Sequence, residues 1–274
     1  MLKCLWILGL AGIWVRAVVI RDYRKDSESD VVVVISQELV EKYNARLFES
    51  ETGVLFTKLK KTYDRHKRDV RNISTIELAI FTDSALFQNM KKRYQDEAPD
   101  NITEVITDLV LAVISSVQLY LSHRTLDLEI QIEIVHMHID NDTNTSGDLT
   151  SDGDIKKYLD MFCKYQRNTS KGANLSWDHA VLLTGLDLYT VPDHDTGKSG
   201  ISYQSGMCSE QSSCTISEFS SLGSASLIIA HELSHNMGVT HDGEGANIEC
   251  NPHSFIMGPK ISHGAIHWSA CSRK

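Results

Sequence analysis

Three histidines, a glutamate and a glycine between positions 231 and 241 stand at a spacing that suits metal chemistry: His231-Glu232-x-x-His235-x-x-Gly238-x-x-His241. On a helix, residues four apart share one face, so the imidazoles of His231 and His235 can grip one Zn²⁺ from a single turn. Glu232 projects beside them without ligating and is placed to act as a general base. Gly238 has no Cβ, so the chain can leave the helix in a left-handed conformation and bring His241 back as the third ligand. Three protein nitrogens leave one coordination position for water, the mark of a catalytic rather than a structural zinc. With 12 His and 16 Gly among 274 residues, the five fixed positions arise by chance on the order of 10⁻⁴ per chain. The bland alternative, a helix with surface histidines, sets three unsatisfied imidazoles beside the apolar run Leu227-Ile228-Ile229-Ala230. The other histidines have no ligand spacing and read as surface or capping residues.

Such a site needs a scaffold, and from Asp69 onward the pattern alternates strand with helix. Residues 76–81 form an apolar run with one Glu, a buried strand. Asp83-Ser84 can cap a helix through about Tyr94. Asn101 with Glu104 three residues later is a capping box, followed by Val105, Ile106, Leu109, Val110, Val113, Ile114 and Val117 at helical period. That stripe is core. Leu126, Leu128, Ile130, Ile132 and Ile134 alternate with polar residues as in a half-buried strand. Ser151 and Asp154 cap a further helix that turns Ile155, Tyr158, Leu159 and Phe162 inward, and 179–184 is a short apolar strand. The order β-α-β-α-β implies an α/β chain, with helices covering a mixed sheet. The Ser-rich stretch 209–226 holds no G-x-S-x-G elbow, so it reads as a solvated loop and a helix cap and argues against a serine hydrolase.

The N-terminus reads as a secretory signal over 1–17: a positive start at Lys3, an apolar run over 4–15, and Val15-Arg16-Ala17 at the cleavage positions. The run is too short to span a bilayer, and 105–121, the nearest later candidate, is broken by Asp108, Ser115, Ser116 and Gln118. Residues 18–68 read as a short propeptide holding a β-branched strand over 31–35. It ends at Arg65-His66-Lys67-Arg68, which resembles a furin-type convertase site cut after Arg68. Sequons at Asn72, Asn101, Asn141, Asn144, Asn168 and Asn174 fit a secreted glycoprotein. Beyond Cys4 the chain has Cys163, Cys208, Cys214, Cys250 and Cys271, an odd set for an oxidising compartment. Residues 1–68 hold 13 basic and 9 acidic side chains, and the remainder 14 and 27. A body that acidic repels phosphate backbones, which excludes nucleic acid as a partner.

The stretch His231-Glu232-Leu233-Ser234-His235-Asn236-Met237-Gly238-Val239-Thr240-His241-Asp242 resembles the metzincin zinc-peptidase signature, and Asp242 after the third His resembles its reprolysin (adamalysin/ADAM) branch. Residues 254–263 resemble that branch's Met-turn, and Trp268-Ser269-Ala270-Cys271-Ser272 its closing segment; 178–185 and 200–208 also match. The short form is similar to secreted tick salivary metalloproteases. The resemblance spans 74–274 and implies a metzincin catalytic domain over 69–274. That domain has a mixed, mostly parallel five-stranded sheet, an active-site helix, and a small irregular lower subdomain after the third His. It implies a secreted zinc endopeptidase with one Zn²⁺ per chain. Met257 would be an apolar floor under the metal, and Asp242 structural. Residues 200–208 would form an edge strand, with Gly200, Ile201 and Ser202 taking an extended peptide; Pro259, Lys260 and Ile261 would form the other wall of the specificity pocket. Backbone hydrogen bonds would hold extended segments of extracellular matrix or plasma proteins, and the chain would act as a monomer.

This sequence also departs from the family pattern. Ser234 stands where Gly is usual, facing away from the metal. Glu77 and Asp178 fit a calcium site, but Lys274 stands where a neutral side chain is expected, and its ammonium can replace Ca²⁺. The propeptide has no cysteine to cap the zinc. The resemblance suggests Cys163–Cys214 and Cys250–Cys271 with Cys208 left over, or a second pattern pairing Cys208 with Cys271. The odd thiol and the missing final helix lead to the expectation that the natural product extends past Lys274. The competing function is a catalytically silent, toxin-like secreted binding module on the same fold. Non-enzymatic members lose the base or a ligand, whereas this chain keeps Glu232 and all three histidines.

Overall fold

The computed structural model describes residues 3–8, 14–21, 30–35, 73–94, 99–141, 149–207, 209–260 and 265–273. The Arg65–Arg68 quartet, Asn72, Asn144, Cys208, Ile261 and Lys274 lie outside these residues.

The centre of the molecule is a five-stranded mixed sheet. Strands β4 (Ile73–Thr82), β5 (Glu129–Ile139), β6 (His179–Thr184), β7 (Gly200–Ser202) and β8 (Cys214–Glu218) stand in the order β5-β4-β6-β8-β7. The first four of that order run parallel, and β7 closes the edge antiparallel to β8. Strands β1 (Lys3–Leu8), β2 (Trp14–Arg21) and β3 (Asp30–Ile35) extend the sheet from β5: β3 pairs parallel with it, and β2 and β1 follow antiparallel. Helices α1 (Ser84–Arg93), α2 (Pro99–Leu121) and α4 (Leu222–Met237) accompany one core, while α3 (Ile155–Ala173) packs on the other. Successive residues point to opposite faces of a strand. Leu78 and Ile80 of β4 with Val181 and Leu183 of β6 therefore enter the α2/α4 core. Ala79 and Phe81 with Ala180 and Leu182 enter the α3 core. Burial on both faces explains why these strands read as continuous apolar runs.

Three elements differ from the sequence-based expectation. Helix α2 begins at Pro99, two residues before the expected cap at Asn101; proline fits the first turn because its φ is already helical and no N–H is needed there. Strand β5 begins at Glu129 rather than at 126 and runs to Ile139. Asp127 sits at φ 57° and Leu128 is 62% exposed, so the first part of the alternation is a turn. The Ser-rich stretch is not all loop and cap. It contains β8, an inner strand buried from Cys214 to Ser217. Its small polar side chains can be buried because each finds a partner, as in Thr215 Oγ1 against His179 Nε2 at 2.9 Å. Helix α2 has the length and hydropathy of a membrane span, yet Ile106, Val110, Val113, Ile114, Val117 and Leu121 are buried in the core.

Asp83 ties the sheet to both layers of helices. Its buried carboxylate caps α1, Oδ1 accepting from Leu86 N at 2.8 Å and Gly185 N at 3.0 Å. Its Oδ2 accepts from Tyr158 Oη of α3 at 2.9 Å and from the Thr184 hydroxyl of β6. Asp83→Ala orphans several buried donors, each worth roughly 1–3 kcal/mol. The expected loss is at least about 3 kcal/mol, measured by denaturant unfolding, with Asp83→Asn retaining part of it.

His179 is fully buried at the start of β6, not on the surface. Burial holds its imidazole far below the usual histidine range, at about 3. Between about pH 6.5 and that value the unfolded chain takes a proton that the folded chain refuses. Stability therefore falls as pH falls through this window, by up to about 1.4 kcal/mol per pH unit from this group. His179→Gln should flatten the stability slope between pH 6 and pH 4, and an unchanged slope would contradict the assignment.

Candidate metal centre

Helix α4 carries the first two histidines into the interior. Ser221 caps its start, Oγ accepting from Ser224 N at 3.2 Å. Gly238 ends it at φ 108°, with Gly238 N bonding His235 O and Val239 N bonding Ser234 O, both at 2.9 Å. A side chain at that φ is strained, so the reversal belongs to glycine. Ser234 is buried within the helix, its hydroxyl donating to Ala230 O at 2.8 Å.

The reversal brings His241 onto the other two. The Nε2 atoms of His235 and His241 are 2.9 Å apart, and those of His241 and His231 3.3 Å. Each Nδ1 is engaged on the outside: His231 with Ile256 O at 2.7 Å, His235 with Val239 O at 2.8 Å, and His241 with Glu244 Oε2 at 3.2 Å. Carbonyl and carboxylate oxygens only accept, so Nδ1 carries the hydrogen in each ring. Three bare Nε2 lone pairs then face one point with no hydrogen to share, an arrangement that a soft dication relieves. Burial lowers the pKa of His231, to about 4, and of His235, keeping both rings neutral as ligands must be. The donor set fits Zn²⁺.

Glu232 is buried next to His231, and burial pushes its carboxyl up to about 7. Ser202 of β7 donates toward it, Oγ lying 2.7 Å from Glu232 O and 3.0 Å from Oε2. Gly200 makes this approach possible. A Cβ there would meet Ile228 Cγ2 at 2.3 Å and Glu232 Cγ at 3.4 Å. Strand β7 is the sheet's terminal strand, pairing Gly200, Ile201 and Ser202 with Ser217, Ile216 and Thr215.

The turn after Pro252 completes the surroundings. Ile256 O holds His231, and Met257, fully buried, accepts from Asp242 N at 2.8 Å through its carbonyl. Pro259 and Lys260 are exposed. Asp242 is buried, its Oδ1 accepting from Ser269 Oγ at 2.6 Å, while that hydroxyl oxygen accepts from Cys271 N and Ser272 N at 3.1 Å. Cys250–Cys271 closes this loop, and Cys163–Cys214 joins α3 to β8. Glu77 and Asp178 meet through the Glu77 main chain and not its carboxylate, Glu77 N donating to Asp178 Oδ2 at 2.9 Å and Asp178 N to Glu77 O at 2.8 Å. Two contacts here escape sequence reading: that of the Ser202 hydroxyl with Glu232, since the resemblance marks Ser202 only as a residue of the substrate edge, and that of Glu244 with His241, whose only signal is its position three residues after that histidine.

Residues 75–274 match the reprolysin (M12B) family of zinc metalloproteases. The chain is 32% identical over 204 residues to "A disintegrin and metalloproteinase with thrombospondin motifs adt-1" of Caenorhabditis elegans, covering 72% of this chain and 13% of that one. It is 35% identical over 213 residues to "A disintegrin and metalloproteinase with thrombospondin motifs 16" of Homo sapiens, covering 77% and 16% respectively. The match thus spans about one-seventh of the length of these relatives.

Proposed function

The chain belongs to the reprolysin (M12B) family of zinc metalloproteases, and on that footing we propose that it is a secreted endopeptidase cutting extended segments of extracellular proteins, with His231, His235 and His241 as zinc ligands and Glu232 as general base. The observation that carries this is the convergence of three Nε2 atoms whose Nδ1 partners are already fixed. When bound, Zn²⁺ acts as a Lewis acid that polarises the scissile carbonyl and acidifies water. Glu232 takes the proton of the attacking water and passes it to the leaving amine nitrogen; a carboxyl whose pKa is near 7 suits both transfers.

The outer edge of β7 at Gly200, Ile201 and Ser202 receives an extended peptide as the next strand, with main-chain hydrogen bonds giving affinity. Pro259, Lys260 and Ile261 would supply the other wall of the side-chain pocket, and the buried Met257 the apolar floor under the metal. Asp242 anchors the loop after His241 to the closing segment. Residues 1–17 would direct export and 18–68 would form a propeptide removed after Arg68, so that β1, β2 and β3 belong to the uncut chain and the mature sheet keeps β4 to β8; the peptidase acts as a monomer on matrix or plasma proteins. Two disulfides suit the oxidising compartment this requires. A silent binding module is less well supported, because the base and all three ligands are present together. The test is to incubate purified protein with a peptide library, with and without a zinc chelator. Cleavage that the chelator removes supports the proposal, and no cleavage of any peptide overturns it.

A further inference from the structure

Ser202 does more in this structure than a residue on a substrate-docking edge requires. Its side chain turns onto α4, where one hydroxyl lies within hydrogen-bond distance of two oxygens of the same residue, Glu232 O at 2.7 Å and Glu232 Oε2 at 3.0 Å. The main-chain oxygen is fixed by the helix, whereas the carboxyl group can rotate about its last torsion. A hydroxyl seated against both spans the gap between a rigid atom and a mobile one. The hydroxyl's contact with the carboxylate is at Oε2, so holding Oε2 leaves Oε1 as the oxygen available to an incoming proton. Gly200, on the same strand, removes the steric obstacle that would keep β7 away from α4.

We infer that Ser202 is a positioning residue for Glu232: its hydroxyl fixes one carboxylate oxygen so that the other faces the reacting water, and it couples the strand that docks substrate to the residue that moves the proton. The inference rests on Glu232 being the general base. It assigns Ser202 a role in the chemical step in addition to its main-chain role in binding. The proton taken from water goes to Oε1, and Oε2 keeps the Ser202 hydrogen bond throughout, so no bond to Ser202 forms or breaks.

A docking role and a positioning role separate kinetically. Main-chain contacts to substrate survive any substitution at 202 and govern KM. Loss of the hydroxyl lets the carboxylate rotate away from the reacting water, which misplaces the base without touching the main-chain contacts to substrate, and so lowers kcat rather than raising KM. The experiment uses the full secreted chain, processed and zinc-loaded, with one cleavable fluorogenic peptide. Ser202→Ala is expected to lower kcat by about 10–100-fold, the range for a hydrogen bond to a charged group. KM should stay within about twofold and zinc content should not change. Thr and Val have the same shape apart from one hydroxyl, so Ser202→Thr should recover most of kcat and Ser202→Val should not. Equal kcat for the Thr and Val variants, or an effect of Ser202→Ala confined to KM, overturns the inference. Glu232→Gln measured in parallel keeps the two readings apart. If that variant cleaves at the wild-type rate, the general-base assignment fails; if it is inactive while Ser202→Ala is fully active, only the role of Ser202 fails.

Discussion

Replacing Glu232 with Gln should leave the fold and the metal in place while removing about 10²–10⁴-fold of kcat, the usual contribution of a positioned general base. Glu and Gln have the same shape, and the amide oxygen can still accept from Ser202 Oγ, which lies 3.0 Å from Glu232 Oε2. Neither ligand geometry nor packing against Gly200 need change. What disappears is the ability to take a proton. The side chain is buried, so bulk water cannot readily substitute as the acceptor. Unfolding should show no loss of stability, because a neutral amide costs less to bury than a carboxylate. The measurement pairs kcat on a fluorogenic peptide with metal content per chain. A variant that keeps its zinc and cleaves at the wild-type rate would contradict the assignment.

The second large effect should come from Glu244, which touches the metal centre only through His241. Two of the three ligands are oriented by main-chain carbonyls, Ile256 O for His231 and Val239 O for His235, and no substitution can delete those. Only His241 depends on a side chain for its orientation, with Nδ1 at 3.2 Å from Glu244 Oε2. Outer partners of this kind fix the tautomer and raise the basicity of the coordinating nitrogen, and their loss commonly costs about 10–100-fold in metal affinity. Glu244 is largely exposed, which weakens the pair, so Glu244→Ala should lie near the tenfold end. Competition against a chelator of known affinity gives the ratio, and an unchanged zinc affinity would show that water replaces the carboxylate at no cost. Glu244→Gln, which can still accept through its amide oxygen, should lie between the two.

How legible the molecule is from sequence depends on whether a signal is local or arises only across the fold. The His231, Glu232, His235, Gly238 and His241 spacing is legible because helix geometry and one left-handed residue settle which atoms converge. The α2 stripe and the Asp83 and Asp154 caps are legible for the same reason: the pattern and its physical cause lie within a few residues. Strand β8 is not. Thr215 and Ser217 look like loop residues until His179 and the neighbouring strands supply their partners. The start of β5 is misread because Leu126 and Leu128 keep the alternation while Asp127 has already left the extended conformation. Ser202 is the extreme case, since its hydroxyl meets Glu232 from thirty residues away and nothing local announces it.

Metal content tests the proposed centre most directly. The purified chain, dialysed against metal-free buffer and then equilibrated with a slight excess of Zn²⁺, is analysed for zinc alongside His231→Ala, His235→Ala and His241→Ala. The predicted result is one tightly held zinc per wild-type chain. Each alanine variant should lose it, and peptide cleavage should follow zinc occupancy through removal by chelator and restoration by added Zn²⁺. A wild-type chain that binds no zinc, or one that cleaves peptide equally well after its zinc has been stripped, would contradict a catalytic metal held by these three histidines.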